Sequence, residues 1–144
     1  MNAHEENAIR ERIAMHGESL YNRGYVPGSS GNISVRLDDG ILVTPTKSCR
    51  GRLDPARISK LDFDGNHRAG DRPSKEAFLH ALMYQERKND SAVVHLHSTH
   101  SVAVSCLEGL DPENVRPPIT AYYVMIVGNL RLLPDFRPGA EELA

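Results

Sequence analysis

The chain lacks the features that mark several large functional classes. No block of lysine and arginine runs longer than a couple of residues, and 17 basic against 19 acidic side chains give a formal charge of -2. The electrostatic footprint of nucleic-acid or anionic-membrane binding is therefore missing. No uninterrupted apolar stretch reaches the ~18 residues of a membrane span. The opening MNAHEENAIRER is polar and acidic where a secretory signal would be basic and then apolar, so the protein reads as cytoplasmic. Only Cys49 and Cys106 occur, without CxxC spacing, too few for a disulfide framework and read as reduced thiols. Nucleotide signatures of the GxGxxG and GxxxxGK types are absent, as are internal repeats. The 144 residues fit one domain spanning 1–144, since single cores stop growing only well beyond ~200 residues.

What is present begins with an amphipathic pattern from about His4 to Arg23, where Ile9, Ile13, His16 or Gly17, and Leu20 recur at helical spacing before Gly24. NISVR and ILVTP then flank Asp38-Asp39-Gly40, a hairpin composition. A short strand follows near ISKLDF, and a turn at Asp64-Gly65-Asn66. Ser74 is a good N-cap for a second helix over KEAFLHALMYQERK, with Phe78, Ala81, Leu82, Met83 and Gln85 as its apolar face. SAVVHLH reads as a strand and STHSVAVSCLEGL as a helix capped by Ser98 or Thr99. PPITAYYVMIVGNLRLLP reads as further strands, and DFRPGAEELA as a loop entering a helix. Hairpins adjoining helices predict an α/β fold with a mainly antiparallel or mixed sheet covered by helices.

Seven histidines are present, three of them in HLHSTH. On a strand His95 and His97 would project from one face, and imidazoles so placed can chelate one divalent ion. A catalytic zinc usually takes three protein ligands, so the pair alone leaves a site underdetermined, and ordinary polar lining is the commoner meaning of such a pair. His100 falls in the first turn of the next helix and reads as a capping or surface group. His80 stands four residues after Glu76 without the HExxH arrangement and reads as packing. His4, His16 and His67 read as solvent-facing. Three polar loops, GSSGN (28–32), TPTKS (44–48) and RPSKE (72–76), each offer hydroxyls, backbone N–H groups or an ammonium suited to an anion. Singly each is also ordinary turn chemistry.

In order, GSSGNIS, TPTKS, RPSKE, AVVHLHSTHS and PPITAYYVM resemble the class II aldolase/adducin family, and within it most closely the 3-oxo-tetronate 4-phosphate decarboxylase branch, through LDPARISK and PSKE…HLHSTHS. The resemblance implies a three-layer α/β fold with a largely antiparallel central sheet flanked by helices. It also implies a homotetramer with active sites at subunit interfaces, and one Zn2+ or other divalent metal per subunit. It makes His95 and His97 metal ligands and Glu76 the acid/base group. Ser29, Ser30, Asn32, Thr46, Lys47, Ser74 and Lys75 would hold the phosphate of a sugar-acid substrate. Tyr122 falls where aldolase members place a tyrosine that reaches a neighbouring subunit's site, although Tyr123 is adjacent. Ala121 stands where the decarboxylase branch has a proline.

The implied reaction is decarboxylation of a 3-oxo-tetronate 4-phosphate to dihydroxyacetone phosphate. The alternatives are cleavage of a sugar phosphate by a class II aldolase and a non-catalytic adducin-like module. The family's third zinc-binding histidine lies in a downstream NHG stretch past the position of Ala144, so the expectation is a C-terminally truncated chain or one that has lost catalysis.

Overall fold

The structure is a computed structural model that describes residues 2–117 and 119–137. The expected loop and helix start at Pro138 and Gly139 lie outside the described residues. Contacts divide the chain into two compact units, one within 2–97 and one within 98–137.

The first unit opens with α1, Ala3–Asn22. Asn2 caps it reciprocally with Glu5: the Asn2 side chain accepts from the Glu5 amide at 2.9 Å, and the Glu5 carboxylate accepts from the Asn2 amide at 2.8 Å. Its buried stripe is Arg10, Ile13 and Gly17. A Cβ at Gly17 would lie 2.9 Å from the Arg50 carbonyl oxygen, so Gly17 rather than His16 faces inward.

Five strands follow: β1 Asn32–Arg36, β2 Ile41–Val43, β3 Ser59–Leu61, β4 His67–Ala69 and β5 Ala92–His95, in the order β4-β3-β2-β1-β5 with every pair antiparallel. The expected hairpin is present, closed by a Leu37 N–H to Gly40 C=O bond of 2.8 Å. Gly40 is required there, because a Cβ would sit 2.0 Å from the Leu61 carbonyl oxygen. Alternation along β2 builds a core on each face of the sheet. Leu42 packs with Ile13, Ile33, Leu37 and Ile58 beneath α1. Ile41 and Val43 pack with Leu61, Val93, Ala77 and Tyr84 beneath α2, Ala77–Glu86. The result is an antiparallel sheet flanked by helices.

Three expectations for this unit change. The second helix begins at Ala77 rather than just after Ser74, with Glu76 in the cap position and no side-chain cap. The Ser74 hydroxyl instead accepts from the Glu76 amide at 3.3 Å, which makes the segment a turn. Its inward face is Ala77, His80 and Tyr84, while Leu82 and Met83 are exposed. The helix is rotated because the sheet beneath it presents the polar Asn32 and Ser34. Finally, β5 ends at His95, so His97 lies beyond the strand.

The second unit contains α3, Thr99–Ser105, and α4, Ala121–Ile126. His100 does sit in the first turn of α3. The strands expected across PPITAYYVMIVGNLRLLP are overturned: the Thr120 side chain accepts from the Tyr123 amide at 3.1 Å and starts a helix, and residues 128–134 form no strand. A local cap prevails over the β-propensity of Tyr, Val and Ile. Among the described residues, no helix is long and apolar enough to cross a membrane.

Candidate active site

The site grows from the β1 face that looks toward α2. Asn32 and Ser34 alternate with apolar Ile33 and Val35, and the register sets Asn32 opposite His95 and Ser34 opposite Val93. His95 therefore shares a face with Asn32. Gly31, at φ +64, lets the end of β5 approach, since a Cβ there would lie 2.5 Å from the His95 carbonyl oxygen. His97 returns to the same place from the following loop: the two imidazole centroids are 4.9 Å apart and their planes tilted by 36°.

The other two loops are joined to each other. Pro45 and Pro73 form an antiparallel bridge, and the Thr46 amide donates to the Arg72 carbonyl at 3.0 Å. TPTKS and RPSKE thereby meet GSSGN around one cavity of about 190 Å³. Ser29, Ser30, Asn32, Thr46, Lys47, Ser74 and Lys75 all line it, so every residue expected to hold phosphate is in one place. Glu76 and His97 line it too. Lys47 adopts φ +58 and is the one non-glycine residue at positive φ among those described. Strain of this kind is concentrated at functional positions.

Glu76 is the junction. Its Oε2 accepts from Asn32 Nδ2 at 2.5 Å and from His95 Nδ1 at 3.1 Å. With Nδ1 donating to the carboxylate, His95 presents Nε2 as a free lone pair, the arrangement by which carboxylates orient metal-binding imidazoles. The chemistry of the pair fits a borderline divalent ion through two nitrogen donors. The described residues contain no group of three His, Cys, Asp or Glu side chains arranged to hold a metal, so a closed ligand set is not assembled from them. Tyr122 belongs to the second unit, on α4, where it is 75% exposed.

Two residues emerge that the sequence did not single out for the site. His80 is fully buried, with Nδ1 at 2.6 Å from the Ser34 hydroxyl and Nε2 bonded to Asn32 Oδ1; Ser34 in turn meets the Tyr84 hydroxyl at 2.8 Å. Burial first, and then the neighbouring His95, push its pKa down to about 4. The alternation of Asn32 and Ser34 within an otherwise apolar strand is the sequence signal for a polar partner opposite. Arg50 is the second. It is 2% exposed, lines the same cavity, and donates from Nη2 to the Pro45 carbonyl at 3.2 Å and the Ser48 hydroxyl at 2.8 Å. Its Nε and Nη1 are buried without a partner, and burial draws its pKa down to about 10, still cationic at neutral pH. Nothing in SCRGR distinguishes it from a solvated arginine. His4, His16 and His67 are exposed as expected.

Residues 11–144 match the Class II Aldolase and Adducin N-terminal domain. The chain belongs to the class II aldolase/adducin family. Among its relatives in that family are the 3-oxo-tetronate 4-phosphate decarboxylase of Haemophilus influenzae, 51% identical over 95% of this chain, and that of Cupriavidus necator, 50% identical over 96%. The chain spans 66% and 64% of the length of these two relatives. The crystal structure of YgbL from Escherichia coli superimposes with a TM-score of 0.91 at 47% identity, covering 96% of this chain and 67% of that one.

Proposed function

We propose that the protein is a carbon–carbon lyase that converts a 3-oxo-tetronate 4-phosphate to dihydroxyacetone phosphate and carbon dioxide. The observation that carries this reading is the position of Glu76, between an imidazole pair and a cavity lined by three anion-binding loops. The identity to the two decarboxylases supports the choice of substrate.

Lys47 and Lys75, with the hydroxyls of Ser29, Thr46 and Ser74, hold the phosphate dianion and so fix the position of the reacting carbons, while Ser30 and Asn32 line the same cavity with their donors turned to Pro27, Glu76 and Ser74. His95 and His97 would hold the zinc, which would supply Lewis acidity for the developing oxyanion when bound. Loss of the carboxylate leaves the bonding electron pair delocalised onto that oxo oxygen. Glu76 then passes a proton taken up from solvent to the carbon that carried the carboxylate, and is left as the carboxylate. Tyr122 is assigned to the active site of a neighbouring subunit in a homotetramer, an assembly that analytical ultracentrifugation tests directly.

Glu76→Gln keeps the shape of the side chain and removes its proton chemistry. Turnover should fall by ~10³-fold, while inorganic phosphate binds as before by isothermal titration. Preserved turnover removes Glu76 from its role. Release of an aldehyde from a sugar phosphate, with no carbon dioxide from the oxo acid, would assign the site to aldol cleavage instead.

A further inference from the structure

The mechanism above uses Glu76 and Asn32 but gives no task to the buried polar groups behind them. Those groups form a continuous line: Tyr84 hydroxyl, Ser34 hydroxyl, His80 imidazole, Asn32 amide and Glu76 carboxylate.

The direction of each bond in this line follows from its carboxylate end and from the burial of His80. A carboxylate can only accept, so the Asn32 atom facing Glu76 is Nδ2 and the atom facing His80 is the carbonyl Oδ1. Oδ1 can only accept, so His80 Nε2 carries a proton. The ring is fully buried and its nitrogens meet only the Ser34 hydroxyl and the Asn32 amide, with no carboxylate among the described residues bonded to it to pair a charge, so it is neutral and Nδ1 is an acceptor. The Ser34 hydroxyl then donates to Nδ1, and the Tyr84 hydroxyl donates to Ser34. All four donors point the same way, toward Glu76, and such aligned bonds polarise one another.

We propose that His80, as a neutral Nε2–H imidazole, is a positioning residue that locks the Asn32 amide and through it aims the Glu76 carboxylate. The inference rests on the reading of Glu76 as the acid/base group. An Asn amide rotates readily between two nearly isosteric orientations. Without the Nε2 donor it can present Oδ1 to Glu76, which sets oxygen against oxygen and turns the carboxylate away. Asn32 also donates to the Ser74 hydroxyl at 3.2 Å, so the same lock ties the acid/base group to the turn that carries Lys75.

Two measurements on the purified protein test this. Long-range proton–nitrogen correlation of the imidazoles at pH 7, with His80→Gln identifying the resonance, should give His80 as the neutral Nε2–H tautomer. An Nδ1–H tautomer or a charged ring overturns the proposal, whether or not the protein decarboxylates anything. The second measurement is turnover with zinc present. His80→Leu removes the donor and should lower kcat ~100-fold with KM within ~3-fold, whereas His80→Gln keeps an N–H for Asn32 and should restore kcat to within ~10-fold of wild type. A loss confined to KM, or an absence of rescue by glutamine in a folded variant, overturns it. A wild type with no turnover removes the decarboxylase reading and leaves the tautomer to decide the proposal.

Discussion

Single residues here carry conflicting demands, and Lys47 shows it most directly. Its backbone lies at φ +58, a conformation that costs a residue with a Cβ ~1 kcal/mol. Its side chain lines the cavity assigned to phosphate. Lys47→Gly should therefore be more stable to urea by ~1 kcal/mol while binding inorganic phosphate ~10-fold more weakly. Unchanged affinity would remove the ammonium from the pocket. His80 carries a second conflict. Burial and the nearby His95 hold its pKa at about 4, against ~6.5 in an unfolded chain. Between those values the unfolded chain binds more protons, so stability is fully present above ~6.5 and declines as pH falls toward the folded value. Urea unfolding at pH 7 and pH 5 should differ by ~2 kcal/mol from this residue, and His80→Gln should remove that part of the difference.

At the scale of elements, the site depends on how closely β5 approaches β1. Gly31 is the contact point, with positive φ and no room for a Cβ beside the His95 carbonyl. Gly31→Ala should cost ~2 to 3 kcal/mol and weaken zinc binding, measured against a chelating dye, by at least ~10-fold. Gly65→Ala, also at positive φ but with open space around it, should show only the backbone cost and the wild-type zinc affinity. The elements themselves were unevenly legible. The first helix and the β1–β2 hairpin follow from periodicity and turn chemistry, and both stand at the expected positions. α4 differs from its pattern because six residues rich in Tyr, Val and Ile predict a strand, whereas the Thr120 cap starts a helix. α2 is legible as a helix, but it starts later and is turned differently than its pattern predicts. An apolar face is the default for a buried helix, and only the polar strip on β1 explains why His80 and Tyr84 point inward. The loops that gather around the cavity were each visible, yet the bridge between Pro45 and Pro73 that unites two of them is a long-range pairing with no local signal.

Across the whole first unit, the two faces of the sheet divide the labour. One face is an apolar core under α1, formed by Ile13, Ile33, Leu37, Leu42 and Ile58. The other is mixed: Ile41, Val43 and Val93 sit beside Tyr84, whose hydroxyl reaches the Ser34–His80 line. Adjacent residues of β2 therefore belong to different functions, although both are fully buried. Leu42→Ala empties the α1 face and should cost ~3 kcal/mol, with inorganic phosphate affinity held at the wild-type value at temperatures where the variant is folded. Val43→Ala deletes less volume and should cost ~1 to 2 kcal/mol, yet it loosens the layer on which Ala77 and Tyr84 rest. Its effect should reach the cavity through the first turn of α2 and the Glu76 that precedes it. Urea unfolding together with phosphate titration on the two variants separates these contributions. If Leu42→Ala lost phosphate binding as Val43→Ala is expected to, the sheet would be transmitting strain between its faces, and the separation of stability from site geometry would not hold.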